Sequence, residues 1–436
     1  MSLTLRNGAR TAPAAGRRLL HGLSGGTPDP GLATHLDRWG DPRLRERRLV
    51  DELEASGLVG HGGAWFPVST KWKAVASASR RRPVVIANGA EGEPASRKDA
   101  LLLTQAPHLV LDGLVLAAGA LRAQQAVVYA TAPRIPVLEA ALAERRALHM
   151  DAIAIEIAEA PDTFIAGQES AVVNALNGRR GAIPSFVGLT SIRERGVAGR
   201  PTLVQNAETL AHVALIARFG AAWFREVGTP EDPGTMLLTV NRPDGPVIVE
   251  AVLGSSLRQA TGLQQADLAG ARGVLLGGYG GAWVSSRVFG ELAVSEKSAR
   301  RAGATLGAGV VAPLPMDVCP LAEMADVVRY MEGQGAGQCG PCVHGLGELA
   351  DAMERLAYGR TGVPGTERIL DICNLVEGRG ACRHPDGVAR FVRSGLGVFA
   401  EEVASHQRRG CCSQVRAARV LPVVDRITRR RLVSRA

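Results

Sequence analysis

Val84-Val85-Ile86-Ala87 runs directly into Asn88-Gly89-Ala90-Glu91-Gly92-Glu93-Pro94-Ala95-Ser96-Arg97-Lys98-Asp99. A short apolar run without polar alternation reads as a strand buried on both faces. A polar, glycine-punctuated loop at the carboxyl end of such a strand is where α/β sheets bind ligands. The pattern repeats outward. Ala126-Val127-Val128-Tyr129 and Ala152–Ile157 are further strand candidates, and Leu109–Ala120 and Ile135–Arg145 between them have helical periodicity. Strands alternating with helices predict an α/β sheet covered on both faces, from Leu53 to about Arg225.

Composition changes near Pro230. Met236–Val240 and Pro246–Val252 read as short β runs around the turn-prone Asn241-Arg242-Pro243-Asp244-Gly245. Val274–Leu276 precedes a glycine loop and Arg287–Ala293 follows it, so a small β-rich domain is expected here. From about Pro320 the periodicity turns helical. Leu321, Met324, Val328 and Met331 form one apolar stripe; Leu346, Leu349, Ala350, Met353 and Leu356 form a second; Val388, Phe391 and Val392 begin a third. Such stripes are packing faces.

A chain of 436 residues exceeds what one hydrophobic core supports, so several domains are expected. The net charge of +9 is concentrated at the ends. Residues 408–436 hold nine arginines against the single Asp425, and residues 1–22 hold four arginines and no acid. The body between them is slightly acidic, which argues against a nucleic-acid binder, and no nucleic-acid-binding signature is present. No apolar run reaches membrane-spanning length, and Met1–Gly22 lacks the apolar stretch of a secretory signal. A cytoplasmic protein is expected, with at most peripheral membrane association through a partner.

Six of the seven cysteines fall in the last hundred residues, which fits a thiolate site better than a disulfide framework. Cys339-Gly340-Pro341-Cys342 has C-x-x-C spacing, in the loop between the first two helical stripes. Cys373 and Cys382 follow within about forty residues. Soft thiolates so placed suit zinc or an iron–sulfur cluster, and spacing alone does not separate the two. The other glycine-rich element, Gly60-His61-Gly62-Gly63-Ala64-Trp65-Phe66-Pro67 followed by Lys71-Trp72, lets backbone N–H groups approach an anion that a lysine can neutralise. It is neither a Walker loop nor a Rossmann fingerprint.

Taken in order, Gly60–Trp72, Asn88–Asp99, Phe164-Ile165-Ala166-Gly167-Gln168-Glu169-Ser170-Ala171 and Pro201-Thr202-Leu203-Val204-Gln205-Asn206-Ala207-Glu208-Thr209-Leu210 resemble the flavin-binding subunit of respiratory complex I and the related diaphorase subunits of NAD-linked hydrogenases and formate dehydrogenases. The resemblance covers roughly residues 50–405 and implies a multidomain α/β protein. Its parts would be a basic N-terminal arm (1–50), a Rossmann-like α/β flavin domain (51–230), a small β-grasp, ubiquitin-like SLBB domain (231–315), a four-helix-bundle-like iron–sulfur domain (316–407) and a basic C-terminal tail (408–436).

Carried over by position, the resemblance implies that Gly60, Gly62, Lys71, Asn88, Glu91, Gly167, Gln205, Asn206 and Thr209 hold FMN. Phe66, Glu93 and Glu169 would meet NADH, and Cys339, Cys342, Cys373 and Cys382 would hold a [4Fe–4S] cluster. The implied activity is that of an NADH dehydrogenase flavoprotein: hydride from NADH to FMN, then single electrons through the cluster to a ferredoxin or a thioredoxin-like iron–sulfur subunit. The chain departs from the family pattern at several points. Ala90 replaces an aspartate, Gln168 the first of two glutamates, Ala74 an aromatic and Trp65 a glycine. Trp65 would intrude on, or stack in, the nucleotide pocket. Ala336 stands at the first of the family's three clustered cysteines; Cys373 matches the fourth by context, so Cys382 is expected to compensate. Cys319, Cys411-Cys412, His344 and His384 are the other ligand candidates. These departures keep two alternatives open: an electron carrier with a donor other than NADH, and a cofactor-free scaffold.

Overall fold

The computed structural model describes residues 17–23, 29–40, 48–78, 81–179, 184–185, 191–359, 365–416 and 419–423. Most of the basic arm and tail therefore lies outside the described residues, including the run Arg429-Arg430-Arg431.

The first sheet has four parallel strands, β1 (Val84–Gly89), β2 (Gln125–Thr131), β3 (Ile155–Ala160) and β4 (Thr202–Asn206), in the order β3-β2-β1-β4. Val84, Val85, Ile86 and Ala87 are all buried, as a central strand covered on both faces requires. β3 begins three residues later than its sequence pattern suggests, because pairing with β2 starts at Ile155. The helices Pro107–Ala120 and Ala207–Phe224 cross tightly on one face. A Cβ at Gly113 would lie 2.0 Å from the Leu210 carbonyl oxygen, so this crossing admits only glycine. Buried Asp112 ties the layer together through Arg145 (2.8 Å), Arg218 (2.5 Å) and His35 (2.8 Å), one residue from each of three other helices. These partners outweigh burial and hold its carboxyl well below the usual range.

The second sheet is mixed and five-stranded: β5 (Thr235–Arg242), β6 (Gly245–Val252), β7 (Ala271–Leu276), β8 (Ala282–Val284) and β9 (Val310–Pro315), in the order β6-β5-β9-β7-β8. Arg242 pairs with Gly245 across the Pro243-Asp244 turn, and Gly245 has φ +120°, a conformation that favours glycine. Arg287–Ala293 departs from the β reading: its first half is helical, within Ser286–Glu291, because the Ser285 hydroxyl caps Val288 N–H at 3.2 Å.

The remaining helices, Pro320–Gln334, Leu346–Tyr358, Thr366–Val376, His384–Val398 and Ala400–Arg409, share one apolar core with Tyr279 and Trp283 of the second sheet region. The three stripes read from the sequence are buried in this core. The described part of the N-terminal arm is not a free extension. Arg18 is fully buried, donates to the carbonyls of Phe224 (2.8 Å) and Trp223 (2.7 Å), and stacks on the Trp223 ring. Leu19 and Leu20 N–H both donate to Glu250 of β6 at 3.0 Å. Among the described residues no single helix is long and apolar enough to cross a membrane.

Candidate functional site

The carboxyl ends of β1 and β4 lie side by side, Ala87 opposite Gln205 and Asn88 opposite Asn206. The Gly60 loop is held over them from helix Ala207–Phe224. Asn206 caps that helix by accepting from Glu208 and Thr209 N–H (3.0 and 3.4 Å), and Thr209 Oγ1 accepts from His61 N–H at 2.9 Å. A Cβ at Gly62 would sit 3.3 Å from Asn206 Cβ, and one at Gly60 3.9 Å from Gln205 Nε2. Gln205 is buried and accepts from the Trp72 indole at 3.4 Å. Lys71, on the helix Val68–Ser77, is buried; its ammonium reaches the Val204 carbonyl of β4 and the Glu169 carboxylate.

Across β1, Asn88 Nδ2 donates to the Gly167 carbonyl at 2.8 Å, and a Cβ at Gly167 would lie 2.6 Å from the Ala90 carbonyl oxygen. The Phe164–Gly167 turn is thereby pressed onto the acidic loop. Gln168 caps the helix Glu169–Leu176 by accepting from Ala171 N–H at 2.9 Å, a task that needs an acceptor oxygen but no charge. Glu169 opens that helix.

Two of the expected acids are occupied by the protein itself. Glu91 accepts from the N–H groups of Asp99 (3.1 Å) and Ala100 (2.9 Å), capping the helix Lys98–Gln105, and burial raises its carboxyl. The Glu93 carboxylate packs against the second sheet region, beside Gly278. It accepts from Tyr279 N–H at 2.8 Å and from Ala95 N–H at 3.2 Å, and burial pushes it up to about 7. Phe66 is the exposed member, with Arg193 4.9 Å from its ring centroid. Trp65 has φ +54°, the left-handed region that favours glycine, consistent with the glycine expected there. Its ring packs against the second sheet's core and 5.6 Å from His61, and lines a cleft of about 500 Å³ with Glu296, Lys297, Arg300 and Arg301. It therefore turns toward the β domain.

Beneath the Gly60 loop lies a buried charge network absent from the sequence reading. Lys98 Nζ meets Asp99 (2.8 Å) and Glu208 (3.0 Å), and Asn206 donates to Asp99 at 2.7 Å. Burial opposes the Lys98 charge, but Asp99, Glu208 and Glu91 outweigh it and raise its pKa. Burial pushes Glu208 up to about 7 and His61 down to about 3.

The donor set fits a flavin mononucleotide. Glycine backbone approaches the ends of both strands, where a buried ammonium (Lys71) and amide side chains (Asn88, Gln205, Asn206) are also gathered.

The cysteines separate into groups. Cys339 lies just before the π-type turn Pro341–Gly345 and Cys342 within it, and Cys382 lies just before helix His384–Val398. Cys342 is pushed up to about 12 by burial and by neighbouring Cys339 and Cys382; Cys382 is raised by burial, with Cys339 close by. Cys373 sits on the helix Thr366–Val376, which packs against that turn: a Cβ at Gly345 would lie 2.2 Å from Val376. Cys373 is fully buried, pushed up to about 11 by burial, and its charged neighbours are Arg393 and Glu377. The thiols that act on Cys342 are those of Cys339 and Cys382, while Cys373 approaches the same turn from a buried helix. His384 donates from Nε2 to the Met331 carbonyl (2.9 Å), so that nitrogen is occupied.

The two sites touch. Phe164 N–H donates to Gln334 Oε1 at 3.0 Å, the Phe164 ring lies 5.6 Å from His384, and Gln338 donates to the Pro184 carbonyl. A parallel sheet with a glycine-and-lysine ligand loop, joined to a helical thiolate loop, defines a two-centre redox flavoprotein.

Residues 53–215 match the family model described as the Nuo51 FMN-binding domain, and residues 322–406 match the NADH-ubiquinone oxidoreductase-F iron–sulfur binding region. The chain is similar to the F subunit of the NADH-quinone oxidoreductase of Mycobacterium tuberculosis, 29% identical over 392 residues, covering 84% of this chain and 85% of that one. It is also similar to the mitochondrial NADH dehydrogenase [ubiquinone] flavoprotein 1 of Dictyostelium discoideum, 27% identical over 377 residues, covering 81% and 78%. In structure it resembles a chain of an NAD+-reducing [NiFe]-hydrogenase in the air-oxidized state, with TM-score 0.77 and 26% identity, covering 87% of this chain and 67% of that one. The chain belongs to the family of flavin-binding subunits of respiratory complex I and the related hydrogenase diaphorases.

Proposed function

We propose that this chain is the FMN- and iron–sulfur-dependent subunit of an NADH dehydrogenase, taking hydride from NADH and delivering single electrons to a partner subunit. The observation that carries the reading is the Phe164–Gln334 hydrogen bond, which couples the turn beneath the flavin loops to the cysteine loop. When bound, FMN supplies the conversion of a two-electron hydride into single electrons and the cluster relays them, chemistry that no side chain here performs.

Gly60, Gly62, Lys71, Asn88, Gly167, Gln205, Asn206 and Thr209 hold and orient the flavin in this reading, with Lys71 neutralising the phosphate. Glu91 acts through the helix that it caps. Phe66 and Glu169 face the nicotinamide nucleotide, and Cys339, Cys342 and Cys382 hold the cluster. Glu169 is the counter-ion of Lys71 in this structure, so an arriving phosphate exchanges one anion for another and frees Glu169 for the ribose. The mixed sheet corresponds to a ubiquitin-like SLBB domain, and the four helices between Pro320 and Val398 to a bundle-like cluster domain. The acceptor is a ferredoxin or thioredoxin-like iron–sulfur subunit, and the setting is the cytoplasm.

A second reading, an electron donor other than NADH, is favoured by Ala90, which removes a carboxylate from the acidic loop, and by the occupied Glu93. Anaerobic titration of the purified protein tests both. Bleaching of the flavin band by NADH, with an EPR signal from the reduced cluster, is expected. A flavin bleached by dithionite but not by NADH would establish the second reading. Protein that stays colourless after incubation with FMN, iron and sulfide would leave only a cofactor-free scaffold.

A further inference from the structure

Four side chains that the redox reading does not use converge at the far end of the helical region. Cys319 precedes helix Pro320–Gln334, Glu402 and His406 stand one turn apart on helix Ala400–Arg409, and Cys412 follows that helix. Their ligand atoms all lie within 4.8 Å of one another. Cys319 and His406 are fully buried, and Glu402 and Cys412 partly so.

Two of the ligand separations match edges of a coordination tetrahedron. Cys319 Sγ lies 3.7 Å from His406 Nε2, and that nitrogen lies 3.2 Å from Glu402 Oε1. Around a tetrahedral ion with metal–sulfur bonds of about 2.3 Å and metal–nitrogen or –oxygen bonds of about 2.0 Å, the corresponding edges are about 3.5 and 3.3 Å. The surrounding bonds orient the ligands as metal sites do. His406 Nδ1 is 3.2 Å from the Leu356 carbonyl, which takes its proton and leaves the Nε2 lone pair facing Cys319 and Glu402. Arg272 holds the other Glu402 oxygen at 3.4 Å. Without a cation, a nitrogen lone pair would face a carboxylate oxygen across 3.2 Å. Two thiolates and one carboxylate around a dication leave one negative charge, which Arg272 offsets.

We propose that Cys319, Glu402, His406 and Cys412 form a structural zinc-class site, distinct from the iron–sulfur centre. Two sulfurs, one imidazole and one carboxylate suit a closed tetrahedral zinc ion and exclude magnesium or calcium. A cluster shared with Cys339 and Cys342 is excluded by distance. Cys319 and that loop sit at opposite ends of a 15-residue helix, about 20 Å apart along its axis. Cys319 and Cys412 also fall outside residues 322–406, the stretch matched by the family's iron–sulfur model. The ion would pin the segment that follows helix Ala400–Arg409, residues 411–416, to the helical core and the second sheet, and residues 419–423 beyond it. These residues contact Glu323 through Val420 and Leu421 N–H (both 3.1 Å), Tyr279 through Pro422 O (2.7 Å), and Arg272 through Gln414.

Metal analysis of the full chain, produced in medium containing both iron and zinc, decides the matter. The wild type is expected to hold about one zinc ion per chain besides its iron. Cys412→Ser should lose the zinc and keep the iron, and Cys342→Ser should do the reverse. Zinc-edge X-ray absorption of the wild type should show two sulfur and two nitrogen or oxygen neighbours, a readout that does not depend on any variant folding. Absence of zinc, zinc retained in full by Cys412→Ser, or a first shell without sulfur would overturn the proposal.

Discussion

Phe164 N–H donates to the side-chain oxygen of Gln334 at 3.0 Å, across 170 residues of sequence. Phe164 begins the turn that lies on Asn88, and Gln334 ends the helix that leads into the cysteine loop. The bond therefore ties the turn beside Asn88 to the helix that leads into the cysteine loop. Gln334 is buried, so its amide has no easy substitute in water.

Gln334→Leu should leave NADH reduction of the flavin unchanged while slowing the appearance of the reduced-cluster signal. It should also cost about 1–2 kcal/mol of stability, because Phe164 N–H is left unpaired. Stopped-flow absorbance combined with freeze-quench EPR separates the two steps. Equal slowing of both would show that the bond serves only the flavin domain.

Lys71→Glu should abolish FMN retention with far-UV dichroism unchanged. A buried carboxylate would then face Glu169 and the incoming phosphate, two like charges where one cation stood. Lys71→Met, which keeps the length and loses the charge, should retain FMN weakly. Wild-type occupancy in Lys71→Glu would remove Lys71 from the phosphate site.

Stability should fall as pH rises from about 6 to about 8. Glu93, Glu208 and Glu323 are each pushed up from 4.5 to about 7, mainly by burial. Between those values the folded chain holds protons that the unfolded chain has lost. The stability is thus fully present below 4.5 and is lost as pH rises through 7. Buried His61 and His384, lowered to about 3 and about 4, act in the opposite direction but only below 6.5. Thermal melts across this range should flatten in Glu323→Gln; the Glu323 carboxylate accepts from Val420 and Leu421 N–H rather than from a flavin-loop residue. An unchanged slope in that variant would remove Glu323 from the set.

Some of this is legible in the chain and some is not, for identifiable reasons. The Val84–Gly89 strand can be read because its apolar run is continuous, and the helical stripes because 3.6-residue periodicity is local. The start of β3 cannot, since register is set by pairing with β2. Glu93 looks like a ligand in the acidic loop, yet its partner Tyr279 lies 186 residues away. Cys319 and His406 are separated by 87 residues, and no spacing rule joins them. Cys373 reads as a cluster ligand from the residues around it, and its burial in the apolar core against which Cys342 also packs depends on how two helices meet, which local sequence does not show.

Cys339, Cys342 and Cys382 lie together, whereas Cys373 has only Arg393 and Glu377 as charged neighbours. Cys373→Ser should therefore keep its iron and lose about 1 kcal/mol from placing a hydroxyl in the core. Cys382→Ser should lose most of its iron. With three thiolates for a cuboidal cluster, one iron has no cysteine ligand and is the first to leave on oxidation. Ala336→Cys places a thiol on the loop where Gly335 already approaches Cys342 Sγ (3.2 Å from an added Cβ), and should protect that iron. Mössbauer and EPR spectra before and after air exposure read this directly. A three-iron signal is expected in the wild type after exposure and not in Ala336→Cys. Iron lost from Cys373→Ser but kept in Cys382→Ser would reverse the assignment.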